Sequence, residues 1–327
     1  MLTDYWVITQ FLALLFSWGL LLNASFFSLT LIQKWQITQS NETQLDLERK
    51  SYLIGAILQF VLLFQFLTFL LFLNTVNIHL PKAIKGAMCA TGVIELNAWG
   101  YPTLWLKLTA LFVYAIFLIF NYLDNQEPAY PLTPKKYFFV FPAFLLLTLD
   151  LFFSYQFFSK IEPDIIATCC SVKFVTSTSQ SYFQLTASPQ YPYFALGVWL
   201  FLGILLGFLS IFNYLHLVKL LFSIVFIFFS VYVLKHFFVK YIYGLPSHNC
   251  LFDIFWAKYH YIGYVLFGLY AFVLLNSLFQ WLIAILQNNL QTDYQKLAQK
   301  ARFIQAIAFL LILLIPAMYW FTWKGNL

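Results

Sequence analysis

Apolar residues run along this chain in eight blocks, each close to the ~20 residues a helix needs to cross a bilayer. They cover about 7–33, 51–73, 101–123, 137–158, 193–213, 219–239, 260–287 and 303–322. No block shows the strict alternation of a barrel strand, so the pattern predicts helices. The boundary between the fifth and sixth blocks rests on one polar stretch, "NYLHLVK" at 213–219. A single helix through both blocks would be about 70 Å long at 1.5 Å per residue, more than twice a ~30 Å hydrocarbon core, so the chain must turn there. The expected fold is all-α: a polytopic integral membrane helix bundle, read as a single transmembrane domain over residues 1–327. No internal repeat, low-complexity tract or interdomain linker stands out.

Composition supports the same reading. Only 9% of the residues are charged and 22% are aromatic, with 40 Phe. A soluble domain carries about a quarter charged residues, and a soluble fold this apolar would expose large sticky patches. A lipid bilayer is the expected partner, with other membrane or periplasmic subunits as further candidates. The net charge of +6 is scattered, which suits anionic headgroups and gives no nucleic-acid footprint. No nucleotide-binding loop occurs, so an ATP-driven role would need another subunit. The first apolar block is too long for a signal-peptide core and lacks a small-residue cleavage site, so it is expected to stay as the first span.

Eight crossings place both termini on one side. The four connections on the opposite side carry Lys34, Arg49, Lys50, Lys135, Lys136, Lys219, Lys296, Lys300 and Arg302. The side with the termini carries Lys82, Lys85, Lys160, Lys173, Lys235, Lys240, Lys258 and Lys324, spread over longer loops. The denser side, which holds both arginines, is expected to be cytoplasmic. The termini then lie outside the cytosol, and a bacterial inner membrane is the expected location.

The same topology puts all four cysteines on the non-cytoplasmic face: Cys89 in the connection 74–100, Cys169 and Cys170 in 159–192, Cys250 in 240–259. Three chemistries fit them. Disulfides would staple the loops of a structural membrane subunit, with connectivity that sequence leaves open. A soft metal ion such as copper would suit thiolates and imidazole, and "SHNCLFD" offers His248 and Cys250 two apart with Asp253 three further on. The candidate metal set is therefore Cys89, Cys169, Cys170, His248 and Cys250, and handling or transport of such an ion is the leading expectation for function. The enzyme alternative is a thiol–disulfide oxidoreductase linked to quinone, with Cys169 and Cys170 as its catalytic pair. A vicinal disulfide is strained and more readily reduced than a relaxed one, although no C-x-x-C is present.

Two charges fall inside predicted spans. Lys107 lies in the third and Asp150 in the fourth, at depths of about 9 and 12 Å from the same face at 1.5 Å per residue. A lone charge there costs about 2.5–3.5 kcal/mol on insertion scales, so the two are expected to pair. Two readings fit: a structural ion pair, or a polar cavity beneath the cysteine loops that serves a proton or ion step.

Overall fold

The computed structural model describes residues 1–35, 42–87, 89–127, 130–161, 191–244, 250–287 and 294–323. Cys169, Cys170 and His248 lie outside these. The described chain is helical, with eight helices long and apolar enough to span a membrane. They are α1 (Tyr5–Lys34), α2 (Glu42–Ala83), α3 (Gly100–Asn125), α4 (Thr133–Ser159), α5 (Tyr193–Ile211), α6 (His216–Tyr243), α7 (Ile262–Leu286) and α8 (Gln295–Thr322). Large apolar side chains stay exposed along them, including Leu12 at 63%, Phe201 at 65% and Phe228 at 61%. In water such surfaces would aggregate, whereas lipid solvates them. The protein is a multi-pass integral membrane helix bundle. The predicted turn at 213–219 is present: α5 ends at Ile211 and α6 begins at His216.

The described residues pack as two compact units, 1–161 and 191–323. In the first, α1 packs on α2 and α4, and α3 packs on α2 and α4. In the second, α5 packs on α6 and α8, and α7 packs on α6 and α8. Each unit is thus a ring of four consecutive antiparallel helices, with a longer connection between its second and third helices than between the others. The end at which a unit's first helix begins is called its proximal end below.

The likeness extends to detail. The second helix of each unit passes through five residues of π-helix near its proximal end, Thr75–His79 in α2 and Leu234–Phe238 in α6. One α-turn follows in each case, Leu80–Ala83 and Val239–Tyr243. Short helical pieces then precede the third helix: Ala90–Ile94 in the first unit, Asp253–Phe255 and Ala257–Tyr259 in the second. The repeat is one of architecture, carried by different side chains, which is why it leaves no mark in the sequence.

The second helices run further than the apolar blocks indicated. The block at 51–73 stops at "NTVNIH", but the helix continues because its polar groups are satisfied locally. Thr75 Oγ1 donates to the Leu71 carbonyl at 2.8 Å, and Asn77 Oδ1 accepts from Ala90 N at 3.3 Å. His79 Nε2 lies 2.9 Å from Asp4 Oδ2, while Asp4 Oδ1 accepts from Trp6 N and caps α1. One carboxylate therefore closes the start of α1 and ties it to the end of α2.

The first unit buries Leu14, Leu21, Leu58, Phe117 and Leu147, and the second buries Trp199, Phe226, Val273 and Ile312. At the proximal end of the first unit, α3 begins against the Ala90–Ile94 turn so closely that only glycine fits at position 100. A Cβ there would run into the Ile94 backbone carbonyl, which has no side-chain freedom with which to yield. Gly100→Ala is expected to destabilise the protein by about 1–3 kcal/mol, the usual cost of overpacking. Thermal unfolding of the full chain in nanodiscs measures it, with Gly19→Ala as control, since a Cβ at Gly19 meets nothing within 4 Å.

Candidate functional site

In the first unit, α3 and α4 hold a buried ion pair among apolar side chains. Lys107 Nζ lies 2.8 Å from Asp150 Oδ1 and 2.9 Å from Oδ2, so the ammonium bridges both carboxylate oxygens. Lys107 is 3% exposed and Asp150 4%. Ser154, one turn beyond Asp150 on α4, donates to Oδ1 at 3.2 Å. The Phe72 ring of α2 lies 5.1 Å from the ammonium and adds a cation–π contact. Charge-assisted hydrogen bonds of this kind offset the loss of hydration that burial imposes.

Beside the pair is a cavity of about 10 Å³, lined by Lys107 and Asp150 with Gln65, Thr68 and Tyr114. That is about the room needed for the centre of one water molecule, and far too little for an organic solute. Gln65 is 4% exposed. Its Oε1 accepts from Thr68 Oγ1 at 3.1 Å, while its Nε2 has no hydrogen-bond partner in the protein. On α1 of the same unit, Gln10 is fully buried, and neither of its amide atoms has a protein partner. Buried amides are normally satisfied, and a small polar void next to one is a place for water. The site combines a carboxylate, an ammonium, a phenol and a primary amide around a space for one water. Such a set can hold and hand on a proton.

Gln65, Thr68, Tyr114 and Ser154 join the site without having been singled out from the sequence. Gln65 and Thr68 are the polar interruptions in "FVLLFQFLTFLL" on α2, three apart and so on one helix face. Ser154 follows Asp150 by one turn. Tyr114 carries no such signal, because tyrosines are frequent in this chain.

The two described cysteines lie in separate units, at matching places. Cys89 is fully buried and directly precedes the Ala90–Ile94 turn. The Ala90 N–H that follows it is the donor held by Asn77 in the π-helical part of α2. In the second unit Cys250 is 1% exposed, and its carbonyl accepts from the Tyr243 hydroxyl in the last turn of α6 at 2.6 Å. Each cysteine's backbone is thus tethered to the end of a π-interrupted helix, and π insertions often accompany functional positions. The Cys250 sulfur lies within 4.8 Å of a carboxylate oxygen of Asp253. Glu95, which follows the Ala90–Ile94 turn, accepts from the Tyr101 hydroxyl at 3.1 Å.

Comparison with known protein families, curated proteins and solved structures finds no match for this chain. Function is therefore argued from the site alone.

Removing one partner of the buried pair leaves the other charge uncompensated. Lys107→Met is expected to cost about 3–5 kcal/mol, whereas Lys107→Met with Asp150→Leu, which removes both charges, recovers most of that loss. Thermal unfolding of the two variants and the parent in nanodiscs reads the difference as a coupling between the sites.

Proposed function

We propose that the protein moves a small ion or polar species across a membrane and that Asp150 exchanges a proton during its working cycle. The observation that carries this reading is the Lys107–Asp150 pair, buried in the spans beside a water-sized polar cavity. Intramembrane charges of this kind commonly mark proton relays or ion pathways. Protonating the Asp150 carboxylate removes the counter-charge of Lys107. The ammonium must then leave its place or give up its own proton. Either change weakens the join between α3 and α4, so the proton state becomes a packing state. We place the protein in a bacterial inner membrane with both termini outside the cytosol, on the density of basic residues in its short connections.

The test is infrared titration of the full chain in nanodiscs. Acidification is expected to bring up a protonated-carboxyl band that is absent from the Lys107→Gln, Asp150→Asn double variant, a neutral pair that still hydrogen-bonds. If parent and double variant titrate alike wherever both stay folded, the pair is structural and the proposal fails.

A second reading, handling of a soft metal such as copper, is favoured by the Cys250 thiol and the Asp253 carboxylate within 4.8 Å of each other. Thiolates select Cu(I), and a carboxylate is a weaker neighbouring donor. Cys89, Cys169, Cys170 and His248 remain the further proposed ligands. In this reading, Cu(I) titration against a chromophoric chelator gives tight binding that drops at least about tenfold in Cys250→Ser, a loss of ~1.4 kcal/mol. Equal affinity in parent and variant would remove Cys250 from any metal site.

A further inference from the structure

At the distal end of the second unit, cations from two helices converge on one connection. Lys219, in the first turn of α6, donates from Nζ to the Phe212 carbonyl at 2.8 Å. Arg302 of α8 donates from Nη1 to Asn213 Oδ1 at 2.8 Å. Lys219 is 5% exposed. The Arg302 Nε and the His216 Nδ1 are both shielded from water, and neither has a hydrogen-bond partner in the protein.

The helix end adds to the same field. Leu215 precedes α6 with φ of 55° and offers no side-chain cap, and the first turn of α6 contains no acidic residue. The first N–H groups of a helix have no partners within it, and its N-terminus carries partial positive charge. Cations belong at the opposite end of a helix. Here one lysine and one histidine sit at the positive end, with an arginine brought in from α8. Among the described residues of this unit the only carboxylate is Asp253, which is in the connection at the proximal end. Neither of the two hydrogen bonds that hold Lys219 and Arg302 brings a negative charge, since both acceptors are neutral.

We propose that this cluster binds a phosphate anion, presented by the headgroup of an anionic phospholipid. The cluster lies where membrane-spanning helices end, which is the depth of lipid phosphates. The guanidinium offers paired donors that match phosphate oxygens, the lysine adds a point charge, and unpaired helix N–H groups complete an anion cradle. An apolar acyl chain has ready contacts alongside, because Leu217, Val218, Leu221 and Phe222 are exposed on the same turns of α6.

The test uses the full chain in nanodiscs of phosphatidylcholine, with or without phosphatidylglycerol, read by native mass spectrometry and thermal unfolding. Phosphatidylglycerol is expected to co-purify and raise the unfolding midpoint. Retention should fall about fivefold in Arg302→Gln, an expectation scaled to one basic residue at an anionic surface. That variant keeps an amide to meet Asn213, so loss of fold is not the default result. Lys219→Gln should act in the same direction, and Lys300→Gln, an exposed neighbour with the same change in charge, should not. If inorganic phosphate protects the protein in pure phosphatidylcholine and Arg302→Gln abolishes this, the anion site stands and its ligand comes from solution. If neither anion has an effect, or if all three variants behave alike, the site does not exist.

Discussion

A charge inside the hydrocarbon must find its partner within the protein, and α3 and α4 are arranged around that constraint. They are joined at two levels by ion pairs of opposite sense. Toward the proximal end α3 supplies the cation and α4 the anion, as Lys107 and Asp150. At the distal end the roles reverse, with Asp124 on α3 and Lys136 on α4 at 2.7 Å. Asp124 also accepts from Leu132 N at 2.8 Å and Thr133 Oγ1 at 2.7 Å, so it caps the start of α4 while holding the lysine. Sliding one helix along the other by a turn, about 5.4 Å, would break both pairs at once. Apolar packing tolerates such a shift far better, because lipid-like side chains discriminate weakly between neighbours. Register is thus an electrostatic property here. A change of protonation at Asp150 would act on one of these two ion pairs.

The two pairs are not equivalent. Asp124 has three donors, two of them belonging to the chain segment it caps, and this suits a fixed joint. Asp150 has Lys107 and Ser154, with a cavity on its open side. A carboxylate beside a void can change state with little movement of its surroundings, whereas one serving as a helix cap cannot. This difference in setting, more than burial alone, is why the proposed proton step is assigned to Lys107–Asp150 and not to Asp124–Lys136.

Much of the architecture was legible in the sequence because the bilayer simplifies the code. Long apolar blocks give helices, and the polar breaks between the blocks give their number. Lys107 and Asp150 stood out because charge is rare in such blocks and their depths matched. The surrounding site was hidden for the opposite reason. Gln65, Thr68 and Ser154 are uncharged polar residues, which helices in a bundle carry at many positions, and only packing brings these three together. The π-helical ends of α2 and α6 were also invisible, because an insertion of one residue per turn is a matter of backbone geometry with no composition of its own. The repeated architecture of the two units was missed with them, since its markers are those insertions and the order of helix packing.

The second unit meets the same constraint with different chemistry. Its interior polar contacts are neutral: Gln305 donates to Ser277 at 2.6 Å, Ser223 and Ser277 share a hydrogen bond at 3.2 Å, and Trp199 donates to Ser230 at 2.7 Å. Among its described residues no membrane-buried carboxylate occurs that could serve Lys219 and Arg302 as a counter-ion. Lys219 and Arg302 are therefore left at the helix ends, where aqueous solvent and headgroups begin. Neutral networks fix helix contacts without responding to pH over the range where the protein is folded. In the proposed reading the first unit carries the proton-sensitive element, and the second draws its counter-charge from its surroundings. A counter-charge held in the lipid exchanges with the membrane's composition, whereas one held on a neighbouring helix does not. If both proposals hold, two rings of the same design answer to different things, one to protons and the other to the anionic content of the bilayer.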